Sequence, residues 1–290
     1  MGSAWMLVAG LCFALMSGVV KRSAHWFSGE ELVFYRSVFA FVLIAVPLLW
    51  RHRRAGPRML TGEHLGLHLR RGLVGFLALA TFFHALVHLP MSLAVTLNYS
   101  SPLFLALMMP WQLQERPVPT QYAAVALGFL GVTLLLHPWD APPGDLGAGL
   151  IGLFSGVMAA LAYVNVRRLG RLREPEWRTV FWFSAVCVVG AGGLASITGW
   201  HALRPENLPW LMLLGLLATL GQLAMTRAYR TGHTALVASF AFSTVLFSAF
   251  LEILLFDENM PRTAWAGMAV TVLAGLWAAL HTAGRRPGFA

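Results

Sequence analysis

The sequence predicts an all-α integral membrane protein, with ten transmembrane helices arranged as two inverted five-helix repeats. Three observations predict it. Hydrophobic residues make up 58% of the chain and charged residues 11%, with a mean hydropathy of +0.67, whereas a soluble domain is roughly a quarter charged. The apolar residues gather into runs close to the ~20 residues that a bilayer-spanning helix needs. The two halves of the chain also repeat one another.

Taken in order, the runs between polar or basic breakers fall at residues 3–20, 32–50, 69–88, 91–113 and 121–137, which completes a first half of residues 1–140. The second half, residues 141–290, gives runs at 146–166, 177–198, 209–229, 235–256 and 263–281. No basic segment or small-residue cleavage site precedes Lys21, so the first run reads as a retained helix and not a removed signal. Cys12 and Cys187 both fall inside spans, where a thiol is an ordinary small apolar group.

A formal charge of +9 on a soluble chain would point to nucleic acid. Here the basic residues are almost all arginine and sit between apolar runs, where they orient the chain. With the N-terminus in the cytoplasm, the arginines of 51–58, 70–71, 167–178 and 227–230 lie inside, with Arg116, Arg285 and Arg286. Only Lys21, Arg22, Arg204 and Arg262 are left outside. Both termini are therefore expected in the cytoplasm, and the membrane is expected to be a bacterial inner membrane.

The repeat is visible in residues. Gly10, Ala14, Lys21 and Arg22 lie over Gly156, Ala160, Arg167 and Arg168 at one constant offset. Leu79, Ala80 and Thr81 match Leu217, Ala218 and Thr219, while Glu115 with Pro119 parallels Glu258 with Pro261. An odd number of spans per half inverts the second copy in the membrane. Inverted repeats are a secondary-transporter architecture, with the substrate site near the midplane between the halves.

A family resemblance rests on Phe34, Tyr35 and Arg36 in the second span, on 98–104 with Asn98, Tyr99, Ser101 and Pro102 in the fourth, and on the acidic exits Glu115 and Glu258. The chain resembles the drug/metabolite transporter (DMT) superfamily of EamA-like proteins over nearly its whole length. Within it the chain is similar to YddG-type exporters of aromatic and other amino acids. The resemblance implies two five-helix repeats and export of a small organic solute by alternating access. It also implies a substrate-facing role for Arg36. Thr244 stands where the first half has Pro102, so the halves need not bend alike.

Polar side chains inside spans are the candidates for a pathway, because each is costly unless it faces a cavity or a partner. Asn98 leads: Pro102 cannot donate the helix bond that the Asn98 carbonyl would accept, which frees an acceptor at mid-depth. Gln222 offers a donor and an acceptor, to a solute or to a neighbouring helix. Arg36 either holds a substrate carboxylate, pairs with Glu252, or snorkels outward. His84 is a hydrogen-bonding or proton-relaying group, or a packing histidine. Tyr99, Tyr163, Ser101 and Ser243 complete the expected substrate-binding set, with Ser239 and Thr244 as weaker candidates. Glu252, the one carboxylate well within a span, is the candidate for coupling or gating, alongside His84, or for a structural ion pair. The pairs His64/His68 and His84/His88 have the i, i+4 spacing of a metal site, but further His pairs are missing, so no metal and no cofactor is expected. Gly152 and Gly156, in G-x-x-x-G spacing, mark close helix contact.

The competing class is a membrane enzyme acting on a lipid or isoprenoid. It needs acid–base or metal groups converging at one depth. The sequence holds no H-E-x-x-H, no Walker loop and no paired intramembrane carboxylates. The expected partners are therefore a small-molecule solute and the bilayer, with no nucleic acid.

Overall fold

In the computed structural model, residues 2–55, 62–112, 119–136, 143–232, 237, 240–256 and 261–283 are described. The expected features at Arg58, Glu115, Arg116, Ser239, Asp257, Glu258, Arg285 and Arg286 lie outside the described residues. After a 3-10 turn at Gly2–Ala4, the helices are α1 (Trp5–Ser23), α2 (Gly29–Ala55), α3 (Leu65–His88), α4 (Met91–Asn98), α5 (Ser101–Gln112) and α6 (Pro119–Leu136). The second half contributes α7 (Pro143–Arg171), α8 (Glu176–Thr198), α9 (Leu208–Thr231), α10 (Ser243–Phe256) and α11 (Arg262–Ala283).

Leucine-, alanine- and phenylalanine-rich sequence makes these helices, and their outer faces keep the apolar side chains exposed. Val42, Val46, Leu73, Val189, Ile197 and Leu273 are each about half exposed or more. That suits hydrocarbon, where only helices or closed barrels satisfy every backbone group. Five described helices are long and apolar enough to cross a membrane on their own. α2 carries Glu30 and Glu31 in its first turn and Arg36 farther along.

The packing runs between the halves. α1 lies along α9, α3 along α7, α2 along α8, and α6 along α11. Each pairing has its counterpart under exchange of the halves: span one lies on span eight as span six lies on span three. Neither half keeps a core of its own.

The fourth span is two helices. α4 ends at Asn98 and α5 begins at Ser101, with Pro102 in its first turn, where the missing N–H costs nothing. The Ser100 hydroxyl closes the break by donating to the Leu97 carbonyl at 2.6 Å. The ninth span breaks too, though it has no proline: Phe242 is in a turn, α10 starts at Ser243, and the Ser243 hydroxyl donates to the Phe240 carbonyl at 2.6 Å. A serine three residues beyond the carbonyl closes the break in both halves, although Thr244 stands where the first half has Pro102.

Each break lies against a glycine of the other half. A Cβ on Gly156 of α7 would stand 2.8 Å from the Leu97 carbonyl oxygen and 3.2 Å from that of Asn98. One on Gly10 of α1 would stand 2.8 Å from Thr244 Oγ1 and 2.9 Å from Ser243 Oγ. The constant-offset pair of the sequence repeat is thus a matched pair of contacts.

Candidate functional site

A cavity lies where α1, α2, α3, the α4–α5 break, α7, α8, α9 and α10 meet. Space for the centre of a water-sized sphere amounts to ≈ 80 Å³, within ≈ 610 Å³ not filled by atoms that includes the open mouth. Phe13, Phe82, Phe183, Tyr99 and Tyr163 make its aromatic wall, Met16 and Met225 its flexible apolar wall, and Asn98, Gln222, Ser17 and Thr244 its polar points. Two arginines, Arg36 and Arg71, complete it.

Of the expected binding residues, the structure brings Asn98, Gln222, Tyr99, Tyr163 and Arg36 to this one cavity. The Asn98 amide donates to Ser155 Oγ at 2.9 Å, and Ser155 in turn donates to the Gly152 carbonyl, so α7 fixes the amide's orientation. The carbonyl that Pro102 frees lies against Gly156, where an added Cβ would stand 3.2 Å from it. Gln222 Oε1 is a buried acceptor with no hydrogen-bond partner among the described residues. Tyr163 stacks on Tyr229 with ring centroids 5.3 Å apart, and its hydroxyl is set beside Ser101. Tyr99 is set beside Thr244.

The other expected residues sit elsewhere. Ser101 and Ser243 belong to the two helix breaks and do not line the cavity. His84 stacks on His88 at 4.3 Å, and its carbonyl oxygen lies 2.8 Å from His88 Nδ1, so the i, i+4 pair is spent on itself. Glu252 is 1% exposed and accepts the N–H groups of Met91 at 2.6 Å and Ser92 at 2.9 Å, at the N-terminus of α4. It does not reach Arg36.

Arg71, expected with Arg70 as an orienting charge at a loop, lines the cavity. It lies late in the second turn of α3, about 9 Å along the helix at 1.5 Å per residue, and is 3% exposed. Its guanidinium lies 4.4 Å from the Phe183 ring centre, and that of Arg36 lies 6.0 Å from the same ring. Aromatic faces attract cations. Sequence spacing alone would not separate Arg71 from its exposed neighbour Arg70.

Polar clasps tie α8 to the first half at both ends. On the arginine-poor face, Glu31 accepts the His201 backbone N–H at 2.6 Å and the Ser28 N–H at 2.7 Å, with His201 Nδ1 2.7 Å from its other oxygen. On the arginine-rich face, Glu174 pairs with Arg178 and lies 3.4 Å from His68 Nε2 of α3; within the second half, Arg230 of α9 pairs with Glu176 at 2.9 Å. Gly62, at φ 57°, turns the chain directly over the Arg178 head group, where a Cβ would collide.

Burial alone would raise the Glu174 pKa, but the Arg178 guanidinium, and then His68, outweigh it and hold it below the ordinary carboxylate range. A depressed folded pKa means that this contribution to stability is complete above the unfolded value and is lost as pH falls through the folded one. The Glu174→Gln protein is therefore expected to melt below the native protein at neutral pH. The gap closes only under acid conditions beyond the usual carboxylate range, as read by thermal unfolding in detergent across pH. A gap that closes near neutrality would show that Glu174 is not the group responsible.

The profile of the EamA-like transporter family matches residues 1–137 and 146–280. The chain belongs to the EamA-like transporter family. It is 27% identical to an uncharacterised transporter of Helicobacter pylori, over 96% of this chain and 94% of that protein. It is 28% identical to a riboflavin transporter of Rhizobium johnstonii (95% and 90%) and 29% identical to a pseudopaline exporter of Pseudomonas aeruginosa (92% and 92%). A solved crystal structure superposes with a TM-score of 0.70 at 18% identity, covering 98% of this chain and 99% of that one, which shows the fold. The chain is therefore a multi-pass secondary transporter of small solutes, and the relatives are transporters and not lipid-acting enzymes.

Proposed function

We propose that the chain exports a small ring-bearing organic solute, an aromatic or other amino acid being the representative case. Export would proceed by alternating access across a bacterial inner membrane, with both termini cytoplasmic. The observation that carries the reading is the composition of the central cavity. Phenylalanine and tyrosine residues wall a space whose polar residues, Asn98 and Gln222, come from opposite halves of the repeat. A solute bound to both would be released by rocking one half against the other. The clasps at the two ends of α8 are the contacts such rocking would break in turn. The YddG-type resemblance supports an amino acid. The relatives' substrates, riboflavin and pseudopaline, differ at nearly equal identity to this chain, so neither is carried over.

The test is uptake and efflux of labelled amino acids in proteoliposomes, with and without a pH gradient. Saturable flux is expected in the native protein, and Asn98→Ala and Gln222→Ala are each expected to abolish it with the amount of protein in the membrane unchanged. Undiminished flux in both variants would remove the binding assignment. Absence of flux for every amino acid would leave the transporter and send the substrate to another class of metabolite.

A further inference from the structure

Two arginines share the cavity wall, and among the described residues no carboxylate does. Arg36 is 2% exposed and Arg71 3% exposed. Each lies near the N-terminal end of its helix, α2 or α3, and both reach one ring, Phe183. Nε and Nη1 of both have no hydrogen-bond partner among the described residues. Buried charges are ordinarily paired and hydrogen-bonded, because an unpaired one sacrifices its hydration without return.

The carboxylates that would neutralise them are engaged elsewhere. Glu31 is held by His201 and Ser28, Glu174 by Arg178, Glu176 by Arg230, and Glu252 by the N-terminus of α4. Each of those clasps lies away from the cavity lining. The wall therefore holds two buried positive charges, each with N–H groups that have no partner among the described residues.

From this we infer that Arg36 and Arg71 form an anion subsite, and that the transported solute carries two negative charges there, as a dicarboxylate or a phosphate monoester attached to an apolar ring. The inference rests on the transporter reading above and, among ring-bearing solutes, favours a dianion over the amino acid taken there as the representative case. A single carboxylate would balance one guanidinium and leave the other bare. Planar guanidinium forks suit paired acceptor oxygens, which both chemistries offer. Phe183 and Phe82 would hold the ring, while Gln222 and Asn98 would take its polar edge. Arginine is fitted to this role where lysine is not, because it stays charged when desolvated.

Matched probes test the charge requirement on the purified full-length protein, by the ligand-induced rise in melting temperature and by titration. Phenylsuccinate and 3-phenylpropionate share a ring and differ by one carboxylate. Riboflavin 5′-phosphate and riboflavin differ by a phosphate. The dianion of at least one pair is expected to bind about tenfold or more tightly than its partner, the order of one or two charge-assisted hydrogen bonds. Which pair shows it tells a dicarboxylate from a phosphate.

Arg36→Met and Arg71→Met are expected to erase that preference, and Arg71→Lys to restore part of it. The native protein's preference is read without any variant, so a variant that fails to fold does not disarm the test. Equal binding within both pairs, or no binding of either dianion, overturns the inference. So does a preference that survives both methionine substitutions. Amino-acid flux in proteoliposomes would be untouched by those results, so the transporter reading stands or falls separately.

Discussion

Gly156→Leu is expected to destabilise the protein by about 1–3 kcal/mol or more, and to abolish transport. A Cβ there would lie 2.8 Å from both the Leu97 carbonyl oxygen and Ser100 Oγ. A carbonyl oxygen at a helix end cannot rotate aside, so α7 must move off the α4–α5 break. That movement would carry Ser155 away from the Asn98 amide, and with it the orientation of a cavity-lining group. The steric change thus passes directly into the site.

Two comparisons isolate the cause. Gly147, on the same helix, has nothing within 4 Å of its Cβ position, and Gly147→Leu is expected to leave melting temperature and flux nearly unchanged. Gly10→Leu meets side-chain hydroxyls of Ser243 and Thr244, which can turn, so it is expected to cost less than Gly156→Leu. Equal melting temperatures for the Gly147 and Gly156 variants would show that close approach at the break contributes nothing.

These glycines were legible because a repeat at constant offset and a G-x-x-x-G spacing both register in one dimension. The ten spans were legible for the same reason, since hydropathy is local. Asn98 and Gln222 stood out as polar groups in apolar runs, and both line the cavity.

What the sequence hid is whatever depends on a distant partner. Glu252 was conspicuous as a lone intramembrane carboxylate, but the N–H groups it accepts lie 160 and 161 residues away. The same holds for Glu31 and His201, which are 170 residues apart. Arg71 was hidden differently: it is one of a pair of arginines at a helix entrance, and only the packing of α2, α3 and α8 turns it inward. The break before Ser243 carries no proline, so the rule that exposed the first break was silent on the second.

Glu252→Ala is the second substitution with a large expected effect. α4 is eight residues long, and its opening N–H groups cannot be satisfied within the helix. The Glu252 carboxylate accepts two of them and sits at the positive end of the helix dipole. Hydrogen bonds to a charged group contribute about 1.5–3 kcal/mol each, so the alanine variant is expected to lose roughly 3 kcal/mol or more. Glu252→Gln keeps one acceptor oxygen and should fall between the two, in the order native, Gln, Ala by thermal unfolding in detergent.

The same pair of variants separates a cap from a coupling group. A cap acts by holding the start of α4 against α10, so in Glu252→Gln the remaining flux should respond to a pH gradient as the native protein does. A coupling carboxylate must take up and release a proton, which glutamine cannot do, so the gradient response would vanish even where stability is largely kept.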